Sequence, residues 1–300
     1  MSAAAMAVPL GSPYSEPMRT SPWLREILTL DPERDAHRIV RIDTVYEFPF
    51  DTVRSLEFAL FRTFASPAVS RLLDETKEFA LRAQRRYDDT DLILSTIIES
   101  GYDSDEGKRA IRRMNGLHRR FDIANEDFLY VLSTFVYEPI RWNVRFGWRT
   151  FVEHERLAWF HYWREVGKRM AINEIPPTYE EFEQYNVEYE RANFHFTDSN
   201  ARVARGSRDM FLAWFPGLPK RLGAYAIAAL MDERLREAIG FQPAPRMVVR
   251  AVDGALRSRA RALRFLPPRR KPKLRTQLGH RTYPSGYVLE ALGPMPPDAA

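Results

Sequence analysis

The chain predicts a mainly α, multi-helix single domain with an arm at each end, and three observations carry that prediction. Apolar residues recur at spacings of three and four, glycine and proline fall at helix-length intervals, and Ser, Thr, Asp or Asn precedes most apolar runs. At 300 residues there is ample chain for one large core but little for two. We divide it into an N-terminal arm at 1–49, a helical body at 50–266 and a basic, proline-rich tail at 267–300 that packs on the body.

The elements follow in order. The first 22 residues are rich in Ala, Pro and Ser and lack the basic start and long apolar segment of a secretory signal, so they read as a disordered arm. Ile39, Val40 and Ile42 suggest a short extended piece. Asp51 caps a helix to about Phe64, and Ser66-Pro67 opens a second that reaches Gln84 or Arg85. Asp88 or Asp89 caps a third, over Leu92–Ser100, which Gly101 closes. Ser104, followed by Asp105 and Glu106, starts a fourth that carries His118. A short turn joins these two, which makes them an antiparallel pair and brings the start of the third helix near His118.

Asn125 caps a fifth, central helix that Pro139 ends. After an aromatic connector at 142–148, Thr150 with Glu153 and Thr178 with Glu181 give capping-box patterns for two long helices. Further helices are predicted over 199–214, 222–239 and 247–266.

Composition excludes several chemistries. Hydrophobic residues at 45% and charged residues at 28% describe a globular protein, and no run approaches the roughly 20 apolar residues of a membrane span. With no cysteine there is no disulfide, thiolate-ligated haem or iron–sulfur cluster, which fits a cytoplasmic setting. No histidine follows a glutamate by three positions, His-Glu-x-x-His is missing, and neither a phosphate-cradling glycine loop nor Gly-x-Ser-x-Gly occurs. Di-iron carboxylate, zincin, nucleotide-hydrolysing and serine-esterase sites are therefore set aside.

Charge is unevenly placed. Arg246–Arg281 holds twelve Lys and Arg against one acid, Asp253, within a chain of net charge +5, so the remainder is acidic. Such a tail suits folding back over the acidic body, with Tyr283, Tyr287, Val288 and Leu292 as anchors, or peripheral contact with an anionic membrane. Its arginines form no recognised reader module and no aromatics alternate with them, which argues against specific nucleic-acid binding.

Arg109–Phe121 bears most directly on function. At about 100° per residue, Ile111, Met114 and Phe121 project within roughly 60° of His118, so the imidazole faces inward. Arg112, Arg113, Arg119 and Arg120 fall on the flanks and far side. An inward histidine with guanidiniums at the edges suits an axial haem ligand whose propionates Arg112 and Arg113 would meet, or a core histidine bonded to a backbone carbonyl on a solvated basic helix. The other histidines carry less: His154 reads as solvated, His161 as a packed or pocket-wall residue with a smaller claim to a distal role, and His37, His195 and His280 as surface or tail. Phe128, Phe135, Trp159 and Trp163 are core aromatics, some of which would line an apolar channel.

The series Ala65-Ser66-Pro67-Ala68-Val69, then Arg85-Arg86 with Asp89-Thr90, then Arg113-Met114-Asn115-Gly116-Leu117-His118, resembles the catalytic domain shared by rubber oxygenase (latex clearing protein) and the fungal oxygenase mpaB. Asp127–Pro139, Phe146-Gly147-Trp148-Arg149, Trp163-Arg164-Glu165-Val166-Gly167 and Ile175-Pro176 continue the likeness, over roughly residues 50 to 265. The resemblance implies a globin-like α core, one haem b with its iron on His118, and oxidation or cleavage of an apolar, isoprenoid or lipid-like substrate by dioxygen. It also implies a distal catalytic set at Arg86, Asp89 and Thr90. Rubber oxygenases carry Arg-x-x-Lys-Thr there; Arg86 and Thr90 match, whereas Asp89 replaces the lysine and reverses the charge. Glu75 and Glu78 are the nearest candidates for the family's catalytic glutamate. The alternative is a non-catalytic helical protein that holds haem without turnover or docks on a partner.

Overall fold

A computed structural model describes residues 21–294. The expected disordered arm thus lies largely outside the described residues. Within them are fourteen α-helices and no strand.

Helix α1 (Pro22–Ile27) is capped by the Ser21 hydroxyl, which accepts from the Leu24 amide at 2.9 Å. The stretch expected to be extended is instead helix α2 (Ala36–Ile42), running into a π-helical turn at Asp43–Glu47. Its β-branched residues point to a strand, but Ala36, Ile39 and Val40 have helical spacing and are fully buried, with α2 packed on α9 (Glu153–Arg169). Tertiary burial outweighs the weak strand propensity.

Helix α3 (Pro49–Ala65) begins two residues ahead of Asp51, which is therefore not a cap. Its carboxylate accepts from Trp142 Nε1 at 3.0 Å and is bridged by Arg259. The second predicted helix divides into α4 (Pro67–Glu75) and α5 (Glu78–Leu81), because Lys77 takes a left-handed φ of 57° that no helix continues through. Helix α6 (Ala83–Ser100) starts earlier than predicted, so Asp88 and Asp89 lie inside it and cap nothing. Helix α7 (Asp105–His118) is capped by Ser104, whose hydroxyl accepts from the Gly107 amide at 3.0 Å, and it packs along α6 as predicted.

Helix α8 (Asn125–Phe146) passes straight through Pro139. Proline withholds one N–H from the ladder and costs about 3 kcal/mol in a helix interior, but Tyr137, Ile140 and Phe146 are buried around it and hold the helix together. Asn125 does not cap; it bonds the Asn173 backbone. The cap of α9 is likewise displaced from Thr150, with the Val152 amide donating to Glu155 at 2.7 Å. Thr178 does cap α10 (Tyr179–Asn193), accepting from the Glu181 amide at 3.2 Å. The remainder is α11 (Asp198–Ala213), α12 (Lys220–Ala228), α13 (Glu233–Ala238) and α14 (Arg246–Leu263), so the helix predicted over 222–239 is two.

Two apolar clusters make the core. One joins α2 and α6–α10, and the other joins α3, the end of α8, α11 and α13. A strap at 267–294 runs back over the body: Trp23 Nε1 donates to the Arg269 carbonyl at 2.8 Å, the Lys273 amide donates to Val45 at 2.9 Å, and Leu289 and Leu292 are buried. Tyr283 and Tyr287 pack against the first cluster, whereas Val288 is 63% exposed and anchors nothing.

Candidate functional site

Where the two clusters meet, a cavity of about 990 Å³ is left between α3–α9 and the strap. That is at the upper end of the 300–1,000 Å³ usual for small-molecule sites. Its wall is largely aliphatic and aromatic, with Leu72, Met114, Phe128, Val131, Phe135 and Trp163 representative. Phe135 and Trp163 stack at 4.8 Å, and Trp159, fully buried beside them in sequence, serves the core instead by bonding Asp43.

His118 lines this cavity from the last position of α7. Its ring meets the edge of Phe128 at 5.2 Å, and its Nδ1 is buried with no hydrogen-bond partner. The backbone-bonded core histidine is therefore not what the structure contains at that nitrogen. Burial, then the positive charge of Arg86, push the imidazole down to about 4, so at neutral pH it is uncharged with a lone pair available.

Opposite in sequence, the first turns of α6 bring Arg86, Asp89 and Thr90 to the same cavity. Arg86 donates to the Thr90 hydroxyl and lies over the Phe79 ring at 5.7 Å, and burial lowers its pKa. Asp89 does not bond Arg86. Its carboxylate accepts from the Tyr283 hydroxyl of the strap and stands 3.9 Å from Arg85, with burial pushing its pKa up.

Arg112 and Arg113 are not brought to the cavity. Arg112 is exposed, and Arg113 donates to the Leu292 carbonyl at 2.7 Å, because the strap covers that flank of α7. The cavity's cations are Arg71, Arg86, Arg120 and Arg275. Of the two glutamate candidates, both line the cavity, and Glu78 is committed to Arg82 at 2.7 Å. His161 faces Glu33 at 3.6 Å and is not among the lining residues. His280, expected at the surface, is 6% exposed and sits 3.7 Å from both Asp88 and Asp91, which hold its pKa up.

Sequence reasoning missed Glu57 and Tyr87. The Glu57 carboxyl accepts from the Tyr87 hydroxyl at 2.7 Å and from Arg54 at 2.6 Å on the cavity wall, and burial pushes its pKa up to about 7. The signal was present: Glu57 lies four after Val53 and three before Leu60, inside the apolar stripe of its helix. The strap is also a wall of the site, since Arg275, Gly293 and Pro294 all border the cavity. Gly293, at φ +113°, approaches so closely that a Cβ there would lie 2.7 Å from Leu117.

A flat iron porphyrin needs an apolar slot, one neutral nitrogen and cations for its carboxylates. The unpartnered His118 nitrogen, the aromatic wall and the lining arginines Arg71 and Arg120 fit that requirement. Among the described residues no three His, Asp or Glu side chains converge on a metal position of their own.

Residues 57–265 match the family described as "ER-bound oxygenase mpaB/B'/Rubber oxygenase, catalytic domain". The chain is 29% identical over 269 residues to the ER-bound oxygenase mpaB' of Penicillium brevicompactum, covering 83% of this chain and 63% of that protein. It is 28% identical over 233 residues to the ER-bound oxygenase mpaB of Penicillium roqueforti, covering 72% of this chain and 78% of that protein. A third relative, the mpaB of Penicillium brevicompactum, is 31% identical over 161 residues, 51% of this chain and 41% of that protein. The chain thus spans less than two thirds of the length of two of these three relatives.

Proposed function

The chain belongs to the mpaB/rubber oxygenase catalytic-domain family, and on that footing we propose that it is a haem b-dependent oxygenase acting with dioxygen on an apolar, isoprenoid or lipid-like substrate. One observation carries the haem reading: a cavity-lining histidine, kept neutral by burial, whose Nδ1 has no protein partner. An unsatisfied buried nitrogen costs roughly 1–3 kcal/mol, which a bound group that fills the site would offset.

His118 would hold the iron, and Arg71 or Arg120 would meet the propionates, since Arg275 is already paired with Asp91. When bound, the haem supplies oxygen binding and one-electron chemistry that no side chain can. The chain's own residues do the rest. Arg86, held by its bond to the Thr90 hydroxyl, presents its remaining N–H donors to an oxygen atom of the reactants, while Thr90 gives its own proton to the Arg86 carbonyl and serves to position the guanidinium. The apolar wall holds a hydrocarbon chain and excludes water, which strengthens those donors. Glu57, near half-protonated at neutral pH, can keep or release a proton at its carboxyl while Tyr87 orients it.

A non-catalytic haem protein is the second reading, supported by Asp89, whose negative charge replaces the family's lysine and is tied to Tyr283. Visible spectroscopy of the purified or haem-reconstituted protein tests the first claim. A Soret band that His118→Ala abolishes is expected; protein that takes up no haem overturns it. Oxygen consumption with a panel of unsaturated isoprenoids then separates the readings, inertness of the haem-loaded protein favouring the second.

A further inference from the structure

Helix α14 presents a face that the core does not use. Along it Arg246, Arg250, Arg257 and Arg261 are exposed, and its one acid, Asp253, is already paired with Arg257 at 3.0 Å. Met247 at one end is 82% exposed, and Phe265, in the turn that closes the helix, is 86% exposed. They are five helical turns apart in sequence, so a continuing helical phase puts both on one side, about 27 Å from each other. Leu266 follows, 55% exposed. Two large apolar side chains in water at the ends of a cationic stripe stabilise nothing in the fold.

A second, independent feature adjoins the C-terminal end of this helix. Between the end of α14 and the start of the strap lies a pocket of about 540 Å³, walled by Tyr46, Phe50 and Trp148 and bordered by Arg259, Arg269, Arg270, Lys271 and Lys273. Its acid, Glu47, is engaged by Arg149 at 2.8 Å and by Ser21 at 2.8 Å. Arg259 is spent on Asp51 at 2.9 Å. Four cations remain around the opening, and the one lining carboxylate, Glu47, is already committed elsewhere. Partial burial and the neighbouring charges of Arg269, Arg275, Arg54 and Arg259 lower the Lys273 pKa, which shows how crowded the positive charge is. The pocket is firmly built, since the Arg269 carbonyl, the Lys273 amide and Arg264 are each bonded to the body.

We propose that α14 and the adjoining pocket form a docking surface for an anionic lipid bilayer, with Phe265 and Met247 entering the interface and the pocket receiving a phosphate-bearing headgroup. Apolar side chains inside a cationic face are what an interfacial helix needs and what a nucleic-acid groove does not. No helix among the described residues is long and apolar enough to cross a membrane, so the contact is peripheral. The proposal does not depend on haem or on turnover.

Vesicle co-sedimentation of the full chain tests it. Binding to phosphatidylcholine vesicles containing phosphatidylserine, weak binding to pure phosphatidylcholine, and loss of binding in high salt are expected. The triple variant Arg269→Glu/Arg270→Glu/Lys271→Glu should partition about 100-fold more weakly, and Phe265→Ser about 10-fold. A charge-matched variant at exposed sites elsewhere, Arg34→Glu/Lys168→Glu/Arg191→Glu, should bind as the parent does, and far-UV circular dichroism should show all three folded. Equal binding to neutral and anionic vesicles, equal loss in the charge-matched variant, or preference for duplex DNA or RNA over anionic vesicles would overturn it.

Discussion

Two buried polar regions of this molecule are built on opposite principles. Around Arg149, all three guanidinium nitrogens are engaged: Glu47 accepts at 2.8 Å, Glu155 at 2.6 Å, and the ring of Phe48 lies 4.7 Å from the guanidinium carbon. Asp43 beside them is pushed well up by burial and by the Glu155 carboxylate; its Oδ2 accepts from Trp159, and its Oδ1 is the one oxygen of this group left without a partner. At the cavity, by contrast, His118 Nδ1, Thr44 Oγ1, Thr52 Oγ1 and Trp163 Nε1 are buried without partners. The ion pairs around Arg149 hold the π-helical turn at Asp43–Glu47 against α9, whereas unsatisfied groups are a standing cost that a ligand can relieve.

The comparison can be broken by removing one group from each side. Arg149→Met strands two buried carboxylates and should cost about 3–5 kcal/mol, read from the urea midpoint; a loss under about 1 kcal/mol would mean the network is not structural. Glu57 should show its burial through pH. Its folded pKa of about 7 lies above the unfolded value of 4.5, so its contribution to stability is complete below pH 4.5 and lost as pH rises through 7. Relative to Glu57→Gln, the parent should therefore lose on the order of 2–3 kcal/mol between pH 4.5 and 7.5, and parallel stability curves would refute the assignment.

Smaller effects sharpen the same contrast. Tyr283→Phe deletes the strap's bond to Asp89 and should cost about 0.5–1.5 kcal/mol by thermal or chemical denaturation. His118→Ala should cost less than about 1 kcal/mol in the ligand-free protein, since Nδ1 makes no bond to lose, while removing haem binding altogether. Substantial destabilisation by His118→Ala would make the histidine structural after all.

The α class, the α6–α7 pairing and the caps at Ser104 and Thr178 were legible because they rest on local periodicity and capping chemistry. The meeting of Arg86, Thr90 and His118 at one cavity was legible too, because a short turn between adjacent helices leaves little freedom. What local patterns miss is decided by distant chain. Pro139 is carried by packing, and Lys77 splits a helix that propensity would continue. Helix angles point Arg112 and Arg113 toward propionates, but the strap, distant in sequence, takes that flank of α7 through the Leu292 carbonyl. Glu57 is legible as an inward-facing acid from the apolar stripe of its helix and Arg54 lies one turn away, but its partner Tyr87 comes from thirty residues further on, which local pattern does not reach.

The strap also bears on where an independently folding unit ends. Likeness to the family stops at residue 265, but Arg275 neutralises Asp91, Thr276 and the Arg275 amide satisfy Glu99, and the Thr282 amide bonds Asp88 at 2.8 Å. A chain trimmed to the family's outline would leave a row of helix α6 carboxylates facing one another without their counter-charges, and the cavity without one of its walls. Sequence kinship draws the boundary at the end of α14; electrostatics draws it nearly thirty residues later, at Leu292.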